Sequence, residues 1–225
     1  MKVRAALLQF AYPLIKLAAP VTVLICGGAV FTGFWSHSLR WLICGFLTPY
    51  LFPLSLYRLL EWLSPQREGA TRIRRGQYHP WVAAFRVQIF YAVFPVFEDA
   101  LKIFPGSYSF WLRLWGSSIG KRVFISPGCE VFDRGMLVIS DDVTIGYGVT
   151  FSAHLMRDRG IRRLLYLKKI RIGAGAFVGA QCILGPGSVL SEGAALPAGA
   201  NMTVNCLDEF FSPVLEKKRQ QALSL

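Results

Sequence analysis

A six-residue repeat in the C-terminal half of this chain limits what the chain can fold into. Between residues 172 and 205 an aliphatic residue returns every six positions, and a small residue follows it four positions later. The aliphatic positions are Ile172, Val178, Leu184, Leu190, Leu196 and Met202, and the small positions are Ala176, Cys182, Ser188, Ala194 and Ala200. Neither the helical period of about 3.6 nor the strand period of 2 produces this spacing. A fixed six-residue repeat predicts a parallel β-helix, in which each hexad forms one short strand and a turn.

The same register occurs upstream, with two interruptions. The corresponding hexad positions there hold Ile119, Ile125 and Val131, then Ile139, Ile145 and Phe151. The phase slips by two residues near Gly135, and the pattern stops between His154 and Lys169. Since three hexads close one triangular turn, the array from Ile119 to Asn205 predicts about four coils with one protruding loop, Leu155–Lys169. Loops that emerge from repeat proteins commonly carry function.

Two apolar segments near the N-terminus predict a membrane-associated helical hairpin. Leu17–Trp35 contains no charged residue and nearly reaches the roughly 20 residues that a span requires. Trp41–Tyr57 is interrupted by Pro49 and Pro53, so it could span with a kink or form a re-entrant or interfacial segment. A signal peptide is a weaker interpretation of the first segment, because a second apolar segment follows at once.

The charge distribution supports a membrane location. The chain has a formal net charge of +12, is 53% hydrophobic and has a mean hydropathy of +0.42. This combination favours a membrane protein with a basic cytoplasmic face over a nucleic-acid-binding protein. Lysines and arginines flank the two apolar segments, and Arg40 alone lies between them. The positive-inside rule therefore predicts the cytoplasmic (inner) membrane, with the C-terminal domain facing the cytoplasm.

The segment between the hairpin and the array consists of two parts with different composition. Gln66–Pro80 is polar and basic, which indicates a linker whose arginines set the topology, or a site for an anionic lipid or sugar phosphate. Trp81–Trp115 is rich in aromatic residues at helical spacing and predicts an interfacial amphipathic helix, with a helix packed under the first coil as the alternative. The predicted domains are the hairpin (1–65), the linker and amphipathic helix (66–115), the β-helix (116–206) and a C-terminal helix (207–225).

Few residues in the array can carry chemistry. Of three histidines, His154 alone lies in the array, whereas a zinc site on such a coil would need several, so no metal is expected. The five cysteines are scattered, which argues against a disulfide framework and for a reducing compartment. No phosphate-binding loop, dinucleotide fingerprint or serine nucleophile motif is present.

The array resembles the left-handed β-helix of the hexapeptide-repeat acyltransferases. The resemblance rests on the hexads and on Thr150-Phe151-Ser152-Ala153-His154, where a histidine ends a coil before a protruding loop. The stretch from His154 to Arg159 also resembles the C-terminal membrane-bound part of polylysine-synthetase-type peptide synthetases. The acyltransferase resemblance implies a homotrimer with active sites between neighbouring coils, and acetyl-CoA or another acyl-CoA as the donor substrate.

The resemblance also suggests roles for individual residues. His154 would be the general base that deprotonates the acceptor, and its second ring nitrogen would be oriented by Asp158 or by a backbone carbonyl. Backbone groups at Gly179-Ala180 and Ala198-Gly199 would hold the pantetheine arm of the donor. Its phosphates could meet cationic residues, unless these are simply solvated surface charges. The cationic residues are Lys168, Lys169 and Arg171.

The predicted function is membrane-associated transfer of an acyl, in the first place acetyl, group to a hydroxyl of a lipid-linked sugar or surface-glycan precursor. The expected partners are membrane lipid and a membrane-associated acceptor, since a soluble substrate would need no membrane segment. Two alternatives stay open from the sequence. One is an N-acyltransferase in peptide, amine or lipid biosynthesis, and the other is a non-catalytic trimeric β-helix scaffold.

Overall fold

The structure is a computed structural model that describes residues 2–159 and 162–203, without the side chains of residues 2–6, 158, 159 and 162. It contains two compact units. The first unit comprises Met1–Gln66 and Gly76–Leu101, and the second comprises Arg67–Arg75 and the chain from Lys102 onward. The predicted C-terminal helix (207–225) lies outside the described residues. The chain therefore enters the second unit, returns to the first and enters the second again.

The first unit is helical. Its helices are α1 (Lys2–Ile15), α2 (Ala18–Trp35), α3 (Leu39–Leu63), α4 (Pro80–Val93) and α5 (Val96–Lys102). Among the described residues, α2 and α3 are the two helices that are each long and apolar enough to cross a membrane. Together α4 and α5 are also sufficiently apolar, but they are bent by 76° at the break between them. The second predicted apolar segment is thus one 25-residue helix that continues through both of its prolines.

Glycines allow α2 and α3 to pack closely. A Cβ atom at Gly33 would collide with the backbone of Leu42, and one at Gly45 would collide with Val30. Without a hydrophobic driving force in lipid, helices associate through such close backbone approach. The hairpin predicted from two apolar runs therefore has a small-residue seam that the hydropathy alone does not indicate.

The two prolines of α3 each leave a backbone carbonyl without its helical donor. Pro49 has no N–H for the carbonyl of Gly45, and Pro53 has none for the carbonyl of Pro49. Side chains of other helices replace both donors: Cys26 Sγ lies 3.1 Å from Gly45 O, and Tyr91 Oη lies 2.6 Å from Pro49 O. Within a bilayer such carbonyls must be satisfied by protein, so α2 and α4 make the prolines of α3 tolerable.

The aromatic segment 81–115 is three helices rather than one amphipathic helix. Pro95 follows the end of α4, and Pro105 lies between α5 and α6 (Ser107–Leu114), because proline cannot continue a helix from the preceding turn. The α4 side chains Trp81, Phe90 and Tyr91 are buried in the first unit. In the second unit, α6 contacts the first strand of the coil array, as in the alternative interpretation.

The coil array forms three parallel sheets. Its strands are β2 (Ser118–Ile119), β3 (Phe124–Ile125), β4 (Glu130–Val131), β5 (Leu137–Ile139), β6 (Thr144–Ile145), β7 (Thr150–Phe151), β10 (Ile170–Ile172), β11 (Phe177–Val178), β12 (Ile183–Leu184), β13 (Val189–Leu190) and β14 (Ala195–Leu196). Sheet I has the order β13-β10-β5-β2, sheet II β14-β11-β6-β3 and sheet III β12-β7-β4. A bridge between Ile183 and Asn201 continues sheet III. The parallel stacking predicted from the hexads is confirmed, while the handedness stays a prediction.

The aliphatic hexad positions form ladders in register across the coils. In sheet I, Ile119 pairs with Ile139, which pairs with Ile172, which pairs with Leu190. Corresponding ladders run through the other two sheets from Ile125 and from Val131. These side chains are buried except for the half-buried Leu196 on the last strand, while their neighbours on the same strands point outward. The six-residue period therefore specifies both the strands and their register.

The protruding loop and the predicted linker form one additional sheet. β8 (His154–Arg159) and β9 (Arg162–Leu167) make an antiparallel hairpin, and β1 (Gly69–Arg74) adds to the outer side of β9. The Glu68 side chain, just before β1, accepts a hydrogen bond from the backbone N–H of Lys169 at 3.2 Å. Part of the predicted linker is therefore an ordered strand of the second unit.

Candidate functional site

The corner between sheet III and sheet I carries the candidate catalytic pair. On one coil this corner contains Asp133, and on the next coil it contains Ala153 and His154, because Val131 pairs with Phe151 two residues earlier. We call it the His154 corner. Asp133 Oδ2 lies 2.7 Å from His154 Nδ1 and accepts the backbone N–H of Ala153 at 2.9 Å. Stacking of successive coils thus joins two residues that are 21 positions apart in the chain.

Both side chains of this pair are largely shielded from solvent. The side chain of Asp133 is 2% exposed and that of His154 is 16% exposed. A buried carboxylate requires hydrogen-bond donors, and bonds to an ionised acceptor are stronger than neutral ones. With Nδ1 as the donor to Asp133, the neutral imidazole has its lone pair on Nε2. Such an imidazole is oriented to take a proton at Nε2, which is the arrangement that a general base needs.

Asp133 was missed in the sequence, although its position was marked. The slip of two residues near Gly135 lengthens the corner after β4, and this longer corner contains Asp133 and Arg134. Both residues are buried, and Ser117 Oγ donates to Arg134 O at 2.6 Å. From the sequence alone, the slip is only an interruption of the repeat. A polar residue in a lengthened corner, one coil before the histidine, was the available signal.

Asp158, the predicted orienter of His154, lies four residues along β8. Its side chain is outside the described residues, so its role stays a prediction. Asp133 is the residue that lies at His154 Nδ1 in the described part of the chain. Because side chains alternate between the two sides of a strand, positions 154 and 158 share one side of β8.

The predicted pantetheine contacts lie together at a different corner. Gly179 and Ala180 follow β11, and Ala198 and Gly199 follow β14 one coil later, between sheet II and sheet III, with Ala198 in the place equivalent to Ala180. Gly199 N donates to Ala180 O at 2.8 Å. A Cβ atom at Gly179 would collide with the backbone of Ala198, so only glycine fits there. We call this the Gly179 corner.

The predicted phosphate contacts lie on the His154 side of the coil. Lys168 N donates to Ala153 O at 3.0 Å, which places this lysine beside the candidate pair in the chain fold. Arg171 points outward from sheet I, and its Nη2 lies 3.9 Å from Glu68 Oε1. Lys169 is tied to the same carboxylate through its backbone N–H. Glu68 would therefore compete with a phosphate of the donor for the positive charge of Arg171.

The structure thus divides the predicted site into two groups. The candidate pair lies at the His154 corner, with Lys168 and Lys169 just before sheet I and Arg171 on its outer face, whereas the four backbone contacts lie at the Gly179 corner, one sheet away along the coil. A single protomer does not bring the two groups into one cleft. Among the described residues, no three His, Cys, Asp or Glu side chains are grouped as metal ligands would be.

Comparisons with known proteins give structural similarities only. No protein-family model matches the chain, and no curated protein matches it. A hexapeptide-repeat-containing acetyltransferase from Vibrio cholerae is similar over 49% of this chain and 85% of that chain, with 13% identity and a TM-score of 0.31. A structure of that acetyltransferase with acetyl coenzyme A matches 38% of this chain and 54% of that chain, with 19% identity and a TM-score of 0.21. A galactoside acetyltransferase in complex with coenzyme A matches 47% of this chain and 74% of that chain, with 14% identity and a TM-score of 0.29. At these identities and TM-scores the similarities assign neither a family nor a function to the chain.

Proposed function

We propose that the chain is a membrane-anchored acyltransferase that moves an acetyl or other short acyl group from coenzyme A to a hydroxyl of a lipid-linked sugar or surface-glycan precursor. The observation that carries the proposal is the buried His154–Asp133 pair, at 2.7 Å, at the root of the hairpin that protrudes from the coil array. The geometry of this pair suits proton transfer.

The chemistry requires one base and no covalent intermediate. His154 Nε2 takes the proton of the acceptor hydroxyl while the hydroxyl oxygen attacks the thioester carbonyl carbon. A backbone N–H at a coil corner would stabilise the oxyanion. When the C–S bond breaks, the imidazolium returns the proton to the departing thiolate, so the products are an ester and coenzyme A. Asp133 fixes the tautomer and stabilises the imidazolium.

A trimer would complete the donor site. Within one protomer the His154 corner and the Gly179 corner are separated by the width of a sheet. Three protomers whose coil arrays pack around a common axis would set the Gly179 corner of one protomer against the His154 corner of the next. The homotrimer is therefore part of this proposal, since it would unite the base with the backbone groups for the pantetheine arm.

The membrane helices support a membrane-associated acceptor. α2 and α3 are apolar enough to span, and an enzyme whose two substrates are both soluble would gain nothing from them. In this proposal the array faces the cytoplasm, where acyl-CoA is available. An N-acyltransferase would use the same base, and its product would be an amide instead of an ester. A scaffold would need neither the base nor the donor.

The test is acetyl-CoA binding and slow thioester hydrolysis by the full chain purified in detergent. We expect the wild type to bind and to release coenzyme A. His154→Asn should bind equally well and lose about 10²- to 10⁴-fold in rate. Asp133→Asn should lose about 10- to 10³-fold, because the imidazole then populates the wrong tautomer. His37→Asn is the matched control, since His37 is exposed in the connector between α2 and α3, and it should behave as the wild type.

Three results would contradict the proposal. If the wild type does not bind acyl-CoA, then acyl-CoA is not the donor. If folded His154→Asn hydrolyses the thioester at an unchanged rate, then His154 is not the base. Unaltered cellular function of His154→Asn favours the scaffold. Treatment of the acylated product with mild base separates the two enzyme classes, because an ester is cleaved and an amide persists.

A further inference from the structure

The three-stranded sheet formed by β1, β9 and β8 has two chemically different sides. Residues in one register column point to the same side, and alternate columns point to opposite sides. One register column consists of Arg72, Leu164 and Arg157, in the order β1, β9, β8. Two residues further along, a second column consists of Arg74, Arg162 and Arg159. These two columns belong to the same side, which we call the arginine face. Three of the four described side chains in its outer half are arginines, namely Arg72, Arg74 and Arg157.

The described side chains of this face are exposed and basic at the end away from the coils. Arg72, Arg74 and Arg157 are exposed. Nearer the coils, Leu155, Leu164 and Tyr166 pack together on the same face. None of the described side chains of the arginine face is acidic, and Asp158 belongs to the alternate register columns. The charged groups among the described side chains of this face are therefore all positive.

The spacing makes these charges act together. Arg72 and Arg74 are about 7 Å apart along their strand, and Arg72 and Arg157 are about 10 Å apart across the sheet. These separations are close to the Debye length of about 8 Å at physiological ionic strength, so the mutual repulsion is only partly screened. A planar anionic surface removes the repulsion of all of them at once, because it presents many charges at comparable spacing.

We propose that the arginine face docks on the anionic lipid headgroups of the membrane that α2 and α3 span. β1 begins six residues after α3 ends, with Arg67 in between, so its arginines belong to a juxtamembrane polybasic segment. Such segments bind anionic lipid at about 1 kcal/mol per basic residue. The structure adds Arg157 to this segment from a strand more than 80 positions later in the chain.

A substrate phosphate fits this face less well than a bilayer does. His154 occupies the alternate register columns, together with Gly69 and Leu167. A ligand on the arginine face would therefore lie across the sheet from the candidate base. The proposal does not depend on acyl transfer, since it requires only the spanning helices and the sheet. For the hairpin that begins at His154, docking would fix one side on the membrane surface and leave the other side for chemistry.

The test uses photocrosslinking from the full chain in nanodiscs. A benzophenone amino acid replaces Ala70, which is exposed on the arginine face, or Thr71, which is exposed on the opposite face and serves as the matched control. Nanodiscs contain phosphatidylcholine alone or phosphatidylcholine with phosphatidylglycerol. We expect lipid adducts from position 70 in the anionic nanodiscs, few from position 71, and few from either position in the neutral ones.

Charge variants determine whether arginine causes the contact. Arg72→Gln and Arg74→Gln should lower the adduct yield at position 70 by about fivefold for each charge removed, and raised salt should do the same. Arg72→Lys with Arg74→Lys keeps the charge and should keep the yield, which separates electrostatics from misfolding. Equal lipid adducts from positions 70 and 71, or adducts that do not depend on charge, overturn the proposal. Adducts to a second copy of the chain or to copurified nucleic acid instead of lipid also overturn it.

Discussion

The coil array and the helical unit encode their structures in different ways. In the array, each buried position of a ladder is visible in the sequence as an aliphatic residue at a fixed period, and the register follows from that period. In the helical unit, the apolar runs indicate the length and existence of α2 and α3 but not their seam. That seam depends on Gly33, Gly45 and the Cys26 hydrogen bond, and α4 contributes the second hydrogen bond, from Tyr91 to a freed carbonyl of α3.

The difference follows from what is scarce in water and in the membrane in which we propose that α2 and α3 lie. In water, burial of apolar surface is the main driving force, so an array in water must place its aliphatic residues regularly. In lipid, apolar surface is everywhere, and specificity comes from close approach and polar satisfaction. The informative residues in the helical unit are therefore a few small or polar ones, which hydropathy averages conceal.

The largest effect should come from breaking a ladder. Ile145 is fully buried between Ile125 and Val178 in sheet II. Ile145→Ala should destabilise the array by about 2–5 kcal/mol through lost burial and a cavity. Thr144→Ala, at the exposed position beside it, should change stability by less than about 0.5 kcal/mol. Denaturant unfolding of the β-sheet circular dichroism signal in detergent measures both, and equal effects would contradict the inward–outward pattern.

An intermediate effect should come from the polar contacts of the helical unit. Tyr91→Phe leaves the Pro49 carbonyl without a donor, and we expect a loss of about 0.5–2 kcal/mol. Pro53→Ala restores the backbone donor, so Tyr91→Phe should cost little in that background. Unfolding in mixed micelles gives the coupling energy of this double-mutant cycle. The corresponding cycle of Cys26→Ala and Pro49→Ala should couple less, because a thiol is a weak donor.

The absence of coupling between Tyr91→Phe and Pro53→Ala would contradict this account. In that case the hydroxyl would act through some contact other than the carbonyl that Pro53 frees. The comparison between the two units would then rest on the glycine seam alone.

The smallest effect should come from a surface ion pair of the array. Arg122 and Asp142 lie on neighbouring coils with left-handed backbone angles, 2.5 Å apart at the closest atoms. The hydrogen bond from Arg122 lowers the pKa of Asp142 below its ordinary value of 3.8. The ion pair therefore contributes its full stabilisation of the folded state above the ordinary pKa of Asp142. This stabilisation is lost as the pH falls through the lower pKa that Asp142 has in the folded state. Both side chains are exposed, so salt screens the pair.

Asp142→Asn tests this pair without disturbing the backbone, since asparagine tolerates the left-handed region. We expect a slightly lower unfolding midpoint than that of the wild type at neutral pH and low salt. The two midpoints should converge in strong acid and in high salt. A difference that persists under both conditions would indicate a packing role for Asp142 instead of an electrostatic one.

The sequence predicted the array and the histidine but not the partner of that histidine. The period marks His154 because the residue ends a hexad before the repeat stops. Asp133 is brought to it by stacking of the coils, and only the three-dimensional repeat shows which earlier position lies beneath a given corner. The same reasoning separates the Gly179 corner from the His154 corner, which the sequence placed in one site.

The strand β1 could not be predicted for a similar reason. Its sequence, GATRIR, has no strong apolar alternation, and its arginines read as a topology signal. A strand of this kind is stabilised by the exposed edge of β9, which lies almost 90 positions away. Local propensity contains no information about such a partner.

This connection also sets an order of events during synthesis. At roughly 5–20 residues per second, β9 leaves the ribosome about 5–20 s after β1. Throughout that interval the segment that becomes β1 lacks the strand with which it pairs, while α4 and the first two coils are being made. A fragment that begins at Lys102 would lack β1 altogether and would expose the edge of β9 to pairing with other chains. The second unit is therefore not separable by one cut, and the segment of it that is made first pairs with a strand made almost 90 residues later.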